Sequence, residues 1–85
     1  MNKVIDVEWR SAKDTVGIVL TENDMGQKTA RIGTRHYEFA SYALIVYPYT
    51  EAEDAQYIAE NGARLSFKEA QAFFPYLKPE EYKYD

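Results

Sequence analysis

The sequence predicts a small α+β domain, in which an N-terminal antiparallel sheet of three or four strands is followed by a C-terminal helical hairpin. Residues 3–33 alternate between apolar and polar side chains around a turn-forming segment, as antiparallel strands do. Residues 50–74 contain two capping boxes, each followed by apolar side chains at helical spacing. A chain of 85 residues forms one domain with a modest core, so we expect extra burial in a homo-oligomer.

The strongest hairpin signal lies between Thr15 and Gly33, in the segment TVGIVLTENDMGQKTARIG. Strands are expected over residues 15–21 and 27–33, each with one face suited to a core. The segment between them contains Asn, Asp and Gly, which readily adopt the backbone angles of a tight reversal. These two strands are therefore expected to pair directly.

A further strand is predicted over residues 3–10, KVIDVEWR. Ile5, Val7 and Trp9 occupy alternate positions, so they are expected to share the buried face of this strand. Trp9 is the largest single side chain available to the core. The opposite, solvent-facing side would carry Val4, Asp6, Glu8 and Arg10. The short connection to the hairpin suits antiparallel neighbours.

The segment 34–49 allows two interpretations. Residues 42–47, YALIVY, have the aromatic and β-branched content of a fourth strand, which Pro48 would end. A helix over residues 38–47 is the alternative, supported by the helical spacing of Phe39, Tyr42, Ala43 and Val46. We favour the strand, because its β-branched and aromatic residues are weaker helix formers.

The first helix is predicted over residues 51–61. Thr50 and Glu53 have the spacing of a capping box at its start, and Gly62 is expected to end it in the left-handed conformation. Its inward stripe comprises Ala52, Ala55, Ile58, Ala59 and partly Tyr57. Capping and the helix dipole account for the acidic residues of the first turn, which are Glu51, Glu53 and Asp54.

The second helix is predicted over residues 67–74. Ser66 and Glu69 repeat the capping box, and Pro75 stops the helix. Its apolar stripe comprises Phe67, Ala70, Phe73 and Phe74. The two short helices are expected to form a helical hairpin.

Residues 1–75 are expected to form one domain, and residues 76–85 a C-terminal tail that frays or drapes over a neighbour. The chain contains no cysteine, which fits a reducing compartment. Acids interrupt the apolar run near the N-terminus, and no segment approaches the roughly 20 apolar residues of a membrane span. We therefore predict a cytoplasmic protein without a membrane partner.

The net charge of −4 is unevenly distributed. Residues 1–36 contain six Lys and Arg against five Asp and Glu, whereas residues 37–85 contain four against nine. Duplex nucleic acid normally requires a basic stripe, which this sequence lacks, so no duplex partner is expected. A small anionic ligand held by two or three arginines stays compatible, because local charge decides that case.

The sequence contains no recognisable catalytic motif, and we predict that the protein is not an enzyme. With no cysteine and only His36 as a base, nucleophilic catalysis would need a serine, but no nucleophile-elbow motif surrounds one. Asp6 and Glu8 could hold a metal or act as an acid and a base, but the solvated face of an edge strand has the same composition. The glycines are isolated, so there is no phosphate-binding glycine loop. No cofactor and no metal are expected.

Phosphate binding would therefore depend on side chains. The basic candidates are Arg10, Arg31, Arg35, His36 and Arg64. The aromatic residues that could stack on a base or a ribose are Trp9, Tyr37, Phe39 and Tyr57. The alternative is a purely structural role, with the arginines exposed to solvent and the aromatic residues at the edge of the core. Eight tyrosines and four phenylalanines exceed what one small core requires, which is typical of an interface.

The order of these segments resembles small phage proteins of the Thoeris anti-defence sponge type. The resemblance is carried by the strand KVIDVEWR, the hairpin TVGIVLTENDMGQKTARIG and the segment DAQYIAENGARLSFKEAQAFFP, and it does not extend to residues 34–49. It implies a phage-encoded protein of the host cytoplasm that forms a homo-oligomer. Such a protein sequesters a nucleotide immune second messenger, a cyclic ADP-ribose derivative or a cyclic oligonucleotide, without degrading it.

A sponge of this type needs pockets at subunit boundaries that pair arginines with phosphates and aromatic rings with purines. On this interpretation, phosphates are bound by Arg10, Arg31, Arg35 and Arg64. Tyr37 or Tyr57 stacks on the base, and Asn61 binds a base or ribose edge. The alternative is a small acidic inhibitor that binds a host protein through its Tyr-rich acidic C-terminal half, which the charge asymmetry favours.

Overall fold

The computed structural model of the chain describes residues 2–10, 16–34, 37–39, 46–48 and 50–83, with the backbone alone described at 37–39 and 46–48. A four-stranded antiparallel sheet followed by two helices confirms the predicted α+β class. In chain order the elements are β1 (Lys3–Arg10), β2 (Val16–Glu22), β3 (Lys28–Thr34), β4 (Tyr37–Phe39), β5 (Val46–Pro48), α1 (Glu51–Asn61), β6 (Ala63–Arg64), α2 (Phe67–Phe73) and a 3₁₀ helix (Pro79–Glu81). Among the described residues, no helix is long and apolar enough to cross a membrane.

The predicted hairpin forms the centre of the main sheet, whose strand order is β1-β2-β3-β6. In the turn between β2 and β3, the Asn23 amide donates to the Gln27 carbonyl at 2.9 Å, and the Asn23 side-chain oxygen accepts from the Met25 and Gln27 amides. Gly26 has a φ of 79°, which L side chains rarely adopt. The turn-forming segment predicted from the sequence therefore forms the turn between β2 and β3.

The two helices lie on opposite faces of this sheet, and the expected helical hairpin does not form. Ile18 and Leu20 pack in one cluster with Phe74 of the α2 region, while Val19 packs with Ile58 of α1. Since neighbouring residues of a strand point to opposite faces, β2 is covered on both sides. The chain changes face through β6, which pairs with β3 at the edge of the sheet.

The pattern expected in β1 is wrong at its N-terminal end. The register against β2 shifts between Val4 and Asp6, so that one extra residue forms a β-bulge. Val4 then joins Val7 and Trp9 on the α1 face, while Ile5 is 37% exposed. A bulge reverses the side-chain alternation, which simple period-two counting cannot detect.

The predicted fourth strand lies partly outside the described residues, since residues 42–45 are not among them. Its end falls in β5, which pairs antiparallel with β4 in a separate two-stranded sheet. The fourth strand of the main sheet is instead β6, which is only two residues long.

Both capping boxes are confirmed. The Thr50 hydroxyl accepts from the Glu53 amide while the Glu53 carboxylate accepts from the Thr50 amide, and Ser66 and Glu69 do the same for α2. We expected Gly62 to be left-handed, and this prediction is wrong. Its backbone is extended, with φ −70° and ψ 159°. Its hydrogen side chain is still required, because a Cβ there would lie 2.6 Å from the Ile58 carbonyl oxygen.

The segment after Pro75, which we expected to fray or drape over a neighbour, packs on its own sheet as far as residue 83. Tyr82 is 8% exposed, and its hydroxyl donates to the Leu65 carbonyl at 2.6 Å and accepts from the Ala30 amide at 3.0 Å. Lys28 pairs with Glu81 at 2.8 Å. This bond, with a second one to Glu22, raises the pKa of Lys28 despite its partial burial.

Candidate functional site

Arg31 and Arg64 are brought together by the pairing of β3 with β6, in which they are direct cross-strand partners. Arg31 lies on the α1 face, because it is also the partner of Val19, which packs against that helix. Its guanidinium donates to the Gly62 carbonyl at 3.4 Å. The last turn of α1 contains no basic residue, so Arg31 supplies positive charge to this end of the helix.

On the helical period, Tyr57 and Asn61 lie on the flank of α1 away from Ala52, which faces β1, and therefore on the side toward β3 and β6. They are one helical turn apart, and the Asn61 side-chain nitrogen donates to the Tyr57 carbonyl at 3.0 Å. The Tyr57 side chain is 41% exposed. We define the arginine-pair surface as Arg31, Arg64, Tyr57 and Asn61, since all four lie around the C-terminal end of α1.

Arg10 does not belong to this surface. It lies on the α2 face of β1, where its guanidinium pairs with Glu8 at 2.8 Å and lies 5.2 Å from the centre of the Phe73 ring. The sheet therefore separates Arg10 from Arg31. The expectation that Arg10 shares one phosphate site with the other arginines of this chain is not supported within a single copy.

The side chains of three candidate residues are not described. Arg35 lies outside the described residues, and so does the other basic candidate, His36. Tyr37 is described by its backbone alone, in β4. Their proposed roles in binding phosphate and stacking on a base stay predictions.

A groove lies on the other flank of α1, between this helix and β1. Its volume is about 420 Å³, and we call it the β1–α1 groove. It is lined by Val4, Val7, Trp9, Glu51, Ala52, Ala55 and Gln56. On the helical period, Ala52, Ala55 and Gln56 are roughly opposite to Tyr57 and Asn61. The groove and the arginine-pair surface are therefore separate.

The groove lies where α1 presents small side chains to β1, next to a close approach of the helix to the sheet. Near its C-terminal half, a Cβ on Gly17 would lie 2.8 Å from Ile58 Cδ1 and 2.5 Å from Trp9 Cζ3, so only glycine permits this approach. Near its N-terminal half, α1 presents Ala52 and Ala55 to β1, and small side chains leave space unfilled. The sequence interpretation placed both alanines on the inward stripe and did not detect the groove.

The acidic residues considered for chemistry have structural partners. Asp6 accepts from the Tyr76 hydroxyl at 2.5 Å and from the Val7 amide at 2.9 Å, whereas Glu8 pairs with Arg10. Partial desolvation and the bond to Asp6 raise the pKa of Tyr76 well above its ordinary value, so its hydroxyl stays a donor. Among the described residues, no three His, Asp or Glu side chains are grouped to hold a metal ion.

Asp54 was assigned to helix capping together with Glu53, but the two acids have different surroundings. Glu53 closes the capping box and is exposed. Asp54 is fully buried, at 0% exposure, on the side of α1 that faces the sheet. A buried carboxylate is uncommon in a core, and no pattern in the sequence distinguished this position from its neighbours.

The alternative of a Tyr-rich inhibitory surface loses one of its residues. Tyr82 is buried and its hydroxyl is bonded inside the domain, so its ring is not part of an exposed surface. Tyr76 is 55% exposed but donates its hydroxyl to Asp6.

No protein-family model, curated protein or solved structure matches the chain. The side chains and their geometry are therefore what supports a function.

Proposed function

We propose that this protein is a non-catalytic binding protein that holds a nucleotide-derived anion at the arginine-pair surface and leaves it chemically unchanged. The observation that carries the proposal is the direct cross-strand pairing of Arg31 with Arg64. Like charges in this position repel each other across a strand pair. A phosphate between them would replace that repulsion with two charge-assisted interactions.

Arginine suits this role because its planar fork of donors matches the geometry of phosphate oxygens. The bond from Arg31 to the Gly62 carbonyl fixes one edge of its guanidinium, which has five N–H donors in all. Holding the side chain in place before the ligand arrives lowers the entropy lost on binding.

Tyr57 and Asn61 supply the contacts that a nucleotide needs beyond its phosphate. The half-exposed Tyr57 ring can stack on a base, as aromatic platforms do. The Asn61 side-chain nitrogen is bonded to the Tyr57 carbonyl, so its oxygen is the atom that would accept from a base or ribose. A guanidinium stays protonated and an amide does not ionise. The two arginines and Asn61 can therefore bind an anionic ligand but do not transfer protons to or from it.

In this proposal the ligand is an immune second messenger, a cyclic ADP-ribose derivative or a cyclic oligonucleotide, as the resemblance to Thoeris anti-defence sponges implies. The protein would then act in the cytoplasm of the infected host. Arg64 is exposed on the edge strand β6, so a second copy packed there would enclose the anion. We therefore include a homo-oligomer in the proposal.

The test is to incubate the purified protein with cyclic ADP-ribose and with a cyclic dinucleotide, remove free ligand, and heat the protein. Mass spectrometry of the released material is expected to show intact nucleotide. Arg64→Gln is expected to weaken binding roughly tenfold or more, because hydrogen bonds to charged groups are worth about 1.5–3 kcal/mol. The matched control Arg10→Gln, on the other face, should bind as the wild type does.

Three outcomes would contradict the proposal. Release of a modified nucleotide would indicate an enzyme. Unchanged affinity in Arg64→Gln, with the melting temperature of the wild type, would remove the arginine pair from the site. Retention of neither probe would leave binding to a host protein as the better explanation of the acidic half.

A further inference from the structure

We infer that the β1–α1 groove is a second binding site, which accepts a small organic cation with a flat apolar body. The groove lies on the other flank of α1 from the arginine-pair surface, so this inference does not depend on the proposed nucleotide site.

The size of the groove fits a small molecule. Its volume of about 420 Å³ falls within the range of roughly 300–1,000 Å³ that is typical of ligand pockets. Val4, Val7 and Trp9 form one wall, and Ala52 and Ala55 form the other. These side chains offer apolar surface and one indole ring, which favour a flat hydrocarbon or aromatic body.

Within the described part of the chain, the charge at the groove has one sign. Glu51 is the charged residue among those that line it, and Gln56 is the other polar one. The basic residues of β1, Lys3 and Arg10, pair in register with Glu22 and Val16, which places them on the α2 face. A cation in the groove would meet the Glu51 carboxylate and the Trp9 ring, and both attract positive charge.

A neighbouring acid adds a weaker contribution to this bias. Glu53 accepts hydrogen bonds from the Thr50 amide and hydroxyl, which lower the pKa of its carboxyl and keep it ionised at neutral pH. It lies in the same helical turn as Glu51, but residues two apart project from different sides of a helix, so Glu53 acts on the groove only at longer range. An anion entering the groove would be repelled mainly by Glu51, and the two flanks of α1 would select ligands of opposite charge.

The protein contains its own reporter of groove occupancy, because Trp9 is the only tryptophan. The experiment is a titration of Trp9 fluorescence with three probes of one shape: 2-phenylethylammonium, 2-phenylethanol and phenylacetate. We expect a saturable change with the ammonium at the lowest concentration, then with the alcohol, and the weakest response with the carboxylate.

Two variants connect the signal to the groove. Ala52→Leu places a larger side chain in the groove and should weaken ammonium binding by roughly an order of magnitude, because packed protein leaves little other space for the ligand. Glu51→Gln keeps the shape and should reduce the preference for ammonium over alcohol by roughly two- to fivefold, the effect of one partly exposed charge pair. Glu80→Gln, an exposed acid in the C-terminal 3₁₀ helix, is the matched control and should change nothing.

The inference is overturned if the three probes bind equally, if none gives a saturable signal, or if Ala52→Leu binds the ammonium as well as the wild type at equal melting temperature. A Trp9 signal that follows protein concentration in the absence of any probe would also overturn it, because the groove would then be covered by a second copy of the chain.

Discussion

The two faces of the central sheet are filled to different extents. On the α2 face, Phe74, Leu77 and Tyr82 cover Ile18 and Leu20, and all five are buried. On the α1 face the buried apolar residues are fewer and smaller, namely Val19, Ala55 and Ile58. The groove and the arginine-pair surface lie beside that second cluster.

This difference separates stability from binding within one small domain. The α2 face buries large side chains and closes with the C-terminal segment, so it supplies most of the hydrophobic stabilisation. The α1 face contains unfilled space and two arginines paired across neighbouring strands, and such features cost stability unless a ligand or partner uses them. The hairpin serves both faces, because alternate residues of β2 point into each cluster.

The largest expected effect is on the filled face. Phe74→Ala should lower the free energy of unfolding by about 3–5 kcal/mol, the cost of truncating a buried aromatic side chain. Val7→Ala, at the half-buried wall of the groove, should cost about 1 kcal/mol. Denaturant unfolding of both variants measures the difference, and equal losses would mean that the two faces are packed alike.

A matched pair of enlargements tests packing directly. Ala70→Leu inserts atoms into the closed face, where Ala70 is fully buried, and should destabilise the protein by about 1–3 kcal/mol. Ala52→Leu makes the same change at the groove and should stay within about 0.5 kcal/mol of the wild type. Helix propensity hardly differs between Ala and Leu, so thermal melting reports the space available. Equal destabilisation at both sites would show that the groove has no room for a leucine.

Local signals in the sequence predicted most of the fold. The turn between β2 and β3 depends on Asn23 and Gly26, and the helix starts depend on Thr50 and Ser66, each acting within four residues of chain. Such contacts depend on a short stretch of sequence, so β1 to β3, α1 and α2 begin and end within one residue of the predicted bounds. The strand predicted over residues 42–47 lies partly outside the described residues.

The errors concern long-range relations. The bulge beside Ile5, the placement of the helices on opposite faces and the docking of Tyr82 onto Ala30 and Leu65 each depend on residues distant in sequence. Periodicity shows which side of an element is apolar, but not which partner covers it.

The candidate site was predictable only in part, for the same reason. Arg31 and Arg64 were recognised as basic candidates, but their pairing depends on β6, a strand of two residues that no sequence pattern indicates. The groove depends on where α1 lies over the sheet. From the sequence alone, Ala52 and Ala55 are equally compatible with a helix packed closely on the sheet.

A smaller effect tests how the filled face is closed. Tyr82→Phe removes the hydroxyl that bonds the Leu65 carbonyl and the Ala30 amide, and should cost about 1–3 kcal/mol because these buried groups lose a partner. Tyr76→Phe removes an exposed bond to Asp6 and should cost less than about 0.5 kcal/mol. Urea unfolding compares the stability of the two variants. A larger loss in Tyr76→Phe would show that Tyr76, and not Tyr82, holds the C-terminal segment on the α2 face.

The smallest effect concerns a feature that the two faces share. Thr50→Ala and Ser66→Ala should each cost about 1 kcal/mol, since each removes one helix cap.

The caps lower the pKa of Glu53 and of Glu69, mainly through hydrogen bonds from the backbone amides of Thr50 and Ser66. A lowered folded pKa gives stability that is present above the ordinary Glu pKa and lost as the pH falls through the folded value. Glu53→Gln and Glu69→Gln should therefore flatten the acid limb of the stability curve by similar amounts. Melting temperatures measured from pH 7 to pH 3 check this, and a change confined to one variant would show that one helix alone determines acid stability.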